Sequence, residues 1–138
     1  MPVNGPSTGY SGKPLYQKLG LKPRTRCLVL HAPDHYEELV AGATDVRFMK
    51  RAKSADTVHL FCRSRADLDR SIERAIDRVA DGGMLWVSWP KKASPLFRDL
   101  TEGQIRQVVL PYGWVDVKVC AVDADWSGLK FLRRRTTA

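Results

Sequence analysis

The chain has 138 residues, with 23 Lys and Arg against 15 Asp and Glu, a net charge of +8 and a pI of about 9.7. That length suits one domain with one core, and 43% hydrophobic with 28% charged residues is the balance of a globular protein, not of a disordered or collagen-like one. No window approaches the roughly 18 apolar residues needed to span a bilayer, and three scattered cysteines without a C-x-x-C pair exclude a disulfide scaffold and give a zinc or redox centre no support.

Residues 1–12, rich in Pro, Gly and Ser, read as a flexible arm with neither the basic leader nor the apolar core of a signal peptide, so a cytoplasmic location is expected. A single domain is predicted over 13–134, with 135–138 as the end of a basic tail. Its first helix lies between Ser11 and Gly20, with Pro14 suited to an early helical position and Gly20 to the stop. A strand follows over 26–31, then the turn Ala32-Pro33-Asp34. A second helix is predicted over 35–41, its free N–H groups capped by the Asp34 carboxylate, and a short strand over 45–49.

Residues 57–62 form a nearly continuous apolar run, as in a strand covered on both faces. Ser64 and Asp67 then resemble a capping box, and Leu68, Ile72, Ala75, Ile76 and Val79 recur at helical spacing to Ala80. Asp81-Gly82-Gly83 closes that helix and opens a buried strand over 84–89, which runs straight into Pro90-Lys91-Lys92. After a loop over 90–100, Thr101 and Gln104 start a helix that buries Ile105, Val108 and Val109 and ends around Pro111-Tyr112-Gly113. The last two strands, 114–122 and 127–134, are separated by too few residues for a crossover helix and must form an antiparallel hairpin. These elements predict an α/β, three-layer Rossmann-like sheet, mostly parallel with a C-terminal antiparallel hairpin.

The order strand, helix, Gly-Gly, strand, helix, Gly, hairpin resembles the C-terminal half of class I S-adenosylmethionine-dependent methyltransferases. The chain over 10–134 also looks like a bacterial family of small proteins of unknown function. The residues that carry this are Tyr10-Ser11-Gly12, Val58-His59-Leu60-Phe61, Leu85-Trp86-Val87-Ser88-Trp89-Pro90-Lys91-Lys92-Ala93-Ser94, Asp99-Leu100-Thr101, Val115-Asp116-Val117-Lys118-Val119-Cys120-Ala121-Val122-Asp123 and Trp126-Ser127-Gly128-Leu129-Lys130. The resemblance implies a fold and a bacterial cytosol, but no activity. Methyltransferases of this class place a Gly-rich turn after the first strand and an acidic residue at the end of the second. Here the corresponding stretches are His31-Ala32-Pro33-Asp34-His35 and Arg47-Phe48-Met49-Lys50-Arg51, so no cofactor is expected.

The carboxyl end of a strand in an open α/β sheet is where ligands bind. Lys91, Lys92 and Ser94 bring two ammonium groups and a hydroxyl to such an end, where they can hold a phosphate or carboxylate, or merely solvate the loop. Trp86 and Trp89 point to opposite faces, one into the core and the other onto the crevice. His31 and His35 flank the first turn and, with Asp34, are the residues of an enzymatic alternative. His59, mid-strand, reads as a satisfied core histidine, and the three histidines as no metal site. Asp116, Lys118, Asp123 and Lys130 read as cross-strand ion pairs, and Asp99 and Thr101 as helix caps.

The ligand-binding set is therefore Trp89, Lys91, Lys92, Ser94, His31 and His35, with no catalytic constellation. The function expected is a non-catalytic binding or regulatory module for an anionic small molecule or an acidic protein. The alternatives are a small divergent transferase of the methyltransferase type, and non-specific nucleic-acid binding resting on charge alone. No membrane partner is expected.

Overall fold

The computed structural model describes residues 12–135. Residues 1–11 and 136–138, with most of the expected arm and the end of the tail, lie outside the described residues. In chain order the elements are α1 (Leu15–Leu19), β1 (Thr25–Leu30), α2 (Tyr36–Leu39), β2 (Val46–Met49), β3 (Ala55–Phe61), α3 (Arg65–Arg78), β4 (Val79–Pro90), α4 (Glu102–Val109), β5 (Trp114–Ala121) and β6 (Trp126–Arg133). Six strands form one sheet in the order β2-β1-β3-β4-β6-β5. The first four are parallel, and β6 runs antiparallel between β4 and β5.

Side chains alternate across a strand, so each strand feeds two cores. On one face Leu28, Val58, Leu60, Leu85, Val87 and Trp89 meet the apolar stripes of α3 and α4. On the other, Cys27, Val29, Phe61, Trp86 and Trp126 meet Leu15 and Leu19 of α1 and Tyr36 of α2. Trp86 and Trp89 thus do go to opposite faces, and both are buried. The second face is covered by two very short helices, so polar contacts help to hold them. The Trp86 indole N–H donates to the Leu19 carbonyl at 3.0 Å, and the Lys18 ammonium donates to the Ala121 carbonyl at 3.0 Å.

Several local predictions need correction. Helix α2 is capped by His35 in backbone position, with no side-chain acceptor, so Asp34 does not cap it. Helix α3 ends at Arg78 and β4 begins at once, five residues earlier than predicted, because Val79 already pairs with Ala55 across a register shift. The shift presses Gly83 onto β3, where a Cβ would come within 2.5 Å of the Asp56 carbonyl oxygen. Asp99 does act as a helix cap, accepting from the Arg65 N–H at the start of α3 at 3.0 Å. Thr101 and Gln104 form the full capping box of α4. No described helix is long and apolar enough to cross a membrane.

Candidate functional site

Strand order reverses between β1 and β3, since β2 lies on one side of β1 and everything later on the other. This is the switch point, and it lies one strand away from Lys91 and Lys92 at the end of β4. Its floor is closed. Phe61 and Cys62, at the carboxyl end of β3, are 2% and 1% exposed. Trp126 packs edge-on against Phe61, and the Arg63 guanidinium lies over the Trp126 ring.

The β5–β6 turn is the reason for that closure. Asp123 Oδ1 accepts from the backbone N–H groups of Asp125 and Trp126 at 2.8 and 2.9 Å, folding the turn on itself. Its other oxygen, Oδ2, accepts from the His35 Nε2 at 2.8 Å, which ties the turn to the loop after β1. Asp125 ties it to the loop after β4: its carbonyl accepts from the Lys91 N–H at 2.8 Å and its carboxylate from the Ser94 hydroxyl at 2.8 Å. Two of the six predicted ligand-binding residues, His35 and Ser94, therefore spend their side chains on this clasp. The hydroxyl of Ser94 also accepts from the Leu96 N–H at 3.0 Å. The expected cross-strand ion pairs are absent too. Asp123 serves the turn, Asp116 pairs with Arg106 of α4 at 2.8 Å, and Lys118 and Lys130 face each other as register partners. Burial and the Lys118 charge push the Lys130 ammonium below its ordinary value.

His31 is exposed and takes the left-handed conformation, φ 59°, which residues with a Cβ avoid. Its ring makes no hydrogen bond, ion pair or ring contact with any described residue. The bend after β1 is thus made without glycine, at the place where a methyltransferase turn lets a cofactor lie on bare backbone.

Open space lies on the β4 side instead. A cavity of about 420 Å³ is lined by Trp89, Lys91 and Lys92 at the end of β4, by Leu100, Thr101, Glu102 and Gly103 at the start of α4, and by Ser127. Three of the six predicted residues meet there. Trp89 supplies an apolar wall and the lysines supply positive charge, with Glu102 the one carboxylate among the lining residues. His31, His35 and Ser94 do not line it.

Beneath the edge lies a buried relay that sequence spacing does not reveal. His59 is fully buried and bridges Tyr36 and Ser88: Nδ1 is 3.0 Å from the Tyr36 hydroxyl and Nε2 is 2.7 Å from the Ser88 hydroxyl. Burial holds the imidazole down at about 3, so the ring is neutral, with one nitrogen donating and the other accepting. Burial likewise pushes the Cys27 and Cys62 thiols up to about 12, leaving them inert. Ser88 and His59 have the composition of a nucleophile and base, yet both are 0% exposed and no substrate reaches them. The relay satisfies a polar core. Among the described residues no group of three metal-ligating side chains comes together.

Comparison with solved structures places this architecture. The chain is similar to the ribosomal protein L11 methylase from Lactobacillus delbrueckii subsp. bulgaricus, with TM-score 0.54 and 12% identity over 86% of this chain and 74% of that one. It is similar to a magnesium protoporphyrin IX methyltransferase from Synechocystis, solved with bound SAM, with TM-score 0.56 and 12% identity over 86% and 74%. It is also similar to a type 11 methyltransferase from Sulfolobus solfataricus, with TM-score 0.56 and 12% identity over 96% of each chain. No protein-family model matches the chain, and no curated protein matches it in sequence. At such identities the likeness shows the fold alone: a six-stranded, methyltransferase-like α/β sheet.

Proposed function

We propose that this chain is a divergent transferase of the methyltransferase type whose substrate carries an anionic group, held in the cavity beside Trp89, Lys91 and Lys92. The likeness to methyltransferases favours this reading over a module with no enzymatic ancestry, since it extends over 86% to 96% of this chain. The observation that carries the location is the 420 Å³ cavity, because ligands of open α/β sheets sit at the carboxyl ends of strands.

S-adenosylmethionine does not fit here in the manner of the fold family. The turn after β1 has a side chain at every position, β2 runs into Lys50 and Arg51 where a ribose needs an acceptor, and the His35–Asp123 contact ties the β5–β6 turn to the loop after β1. No chemical step is therefore derived through it. What the chain's own residues do is hold an anion with Lys91 and Lys92 and shield it on the Trp89 side.

A second reading, a non-catalytic binding module, is favoured by the closed floor at the end of β3. One set of measurements separates the two. Melting temperature and calorimetry are recorded with S-adenosylhomocysteine, ATP, NAD and coenzyme A, on the wild type and on Lys91→Ala/Lys92→Ala. A ligand at 100 times its Kd adds about 2.7 kcal/mol, a shift of several degrees. Binding of S-adenosylhomocysteine supports the transferase. Binding of an anionic ligand alone, lost in the double variant, gives the module. If no ligand of the panel loses affinity in the double variant, this cavity is removed from both readings.

A further inference from the structure

A second cavity, of about 470 Å³, opens at the opposite edge of the sheet, where β1 and β2 begin, and is lined by Arg24, Thr25, Arg26, Asp45, Val46 and Arg47. Three arginines thus line one space, with Asp45 the one carboxylate among the lining residues. Arg26 and Arg47 are register partners in the parallel pair β1–β2, so they project from the same face of adjacent strands about 4.8 Å apart. Like charges set directly opposite destabilise a sheet.

No described side chain pairs with their guanidinium groups. Asp56, the nearby carboxylate, accepts from the backbone N–H of Arg26 at 2.8 Å, not from its guanidinium. The side chains of Arg24, Arg26 and Arg47 make no hydrogen bond or ion pair with any described residue. The backbone that frames the cavity is moreover held in an uncommon state. Arg24 and Asp45 are both left-handed, with φ 66° and 58°, and the Arg24 N–H donates to the Asp45 carbonyl at 2.7 Å. Left-handed residues with a Cβ persist where surrounding structure enforces them, and they concentrate at binding sites.

We propose that this amino-edge cavity binds a small phosphorylated molecule through a di- or triphosphate group. Guanidinium forks match phosphate oxygens two at a time and keep their charge at every accessible pH. Three cations still outnumber Asp45 and the neighbouring Asp56, and three guanidinium groups carry more N–H donors than a lone carboxylate has lone-pair sites, which favours a group with several anionic oxygens. The finite volume favours a small ligand over a nucleic-acid backbone. The site is independent of the Lys91–Lys92 cavity at the other end of the strands.

The full chain is titrated calorimetrically with inorganic pyrophosphate and with tripolyphosphate at low salt, and with a 12-nucleotide single-stranded DNA. Binding of the two polyphosphates is expected. It should weaken at least tenfold in Arg26→Thr/Arg47→Thr and by less than that in Lys91→Ala/Lys92→Ala, whose cavity lies at the other end of the strands. Without ligand, Arg47→Thr should melt about 1–3 °C higher than the wild type, since it removes a like-charge pair and adds a good strand former. That rise also reports that the variant folds. The proposal is overturned if neither polyphosphate binds, if binding survives the double arginine substitution, or if it is lost in the lysine variant instead. DNA bound more tightly than tripolyphosphate through the same arginines overturns it as well.

Discussion

The two edges of the sheet handle charge in opposite ways. At the carboxyl edge the polar side chains that look most available are consumed: His35 by Asp123, Ser94 by Asp125, Asp99 by the start of α3. At the amino edge three arginines crowd one cavity and answer to no described residue. A residue type at a strand end therefore says little about whether it is free. What decides is whether a neighbouring loop reaches it first, and the β5–β6 turn reaches over only one edge.

The largest expected effect tests how deep the carboxyl-edge commitment runs. His59→Leu leaves the Tyr36 and Ser88 hydroxyls buried without their ring partner, which should cost about 2–5 kcal/mol in urea unfolding. The same residue sets a pH dependence. Its native value of about 3 lies below the ordinary value of about 6.5, so the unfolded chain takes up the proton first. Wild-type stability should therefore be complete above pH of about 6.5 and fall as pH drops from there towards 3. In His59→Leu that part of the curve should flatten; an unchanged slope would show that carboxylates alone carry the acid sensitivity.

An intermediate effect tests the clasp itself. Asp123→Ala removes the acceptor for two backbone N–H groups and the partner of His35, and should cost about 1–3 kcal/mol. Asp123→Asn keeps a turn-forming side chain and should recover most of that loss. If the two variants unfold alike, the turn is held by Trp126 packing and not by the carboxylate.

The smallest effect concerns the lysines left over at the carboxyl edge. Lys91→Ala/Lys92→Ala should shift stability by less than about 0.5 kcal/mol, because neither side chain makes a hydrogen bond or ion pair with any described residue. A larger loss in a thermal melt would mean that this pair belongs to the clasp, and the contrast between the two edges would weaken.

Much of the architecture is legible along the chain because it depends on local chemistry. The apolar spacing of Leu68, Ile72 and Ile76 sets α3, the Thr101–Gln104 box starts α4, and a short link between two apolar runs forces the hairpin. Trp86 and Trp89 fall on opposite faces because strand side chains alternate. His59 reads as a satisfied core histidine from its apolar neighbours, although its partners cannot be named from them. The start of β4 is misplaced because Gly82 and Gly83 look like a helix stop, while the pairing of Val79 with Ala55 overrides that signal.

The candidate site is only half legible. Trp89, Lys91 and Lys92 follow from a buried strand that runs into a proline and two lysines, and they do share a cavity. The engagement of His35 and Ser94 is invisible, because their partners Asp123 and Asp125 lie 88 and 31 residues away. The amino-edge cavity left no signal at all: Arg24, Arg26 and Arg47 look like ordinary surface charge until β1 and β2 align in register.

What the sequence by itself determined is therefore the elements, their alternation and the class of sheet, since periodicity, caps and turn lengths act within a few residues. Strand order, the closed floor of the switch point, the relay through His59 and the pairing of two arginines were decided only in the folded chain. They depend on which distant segments become neighbours, and that choice is made by burying both faces of one sheet at once.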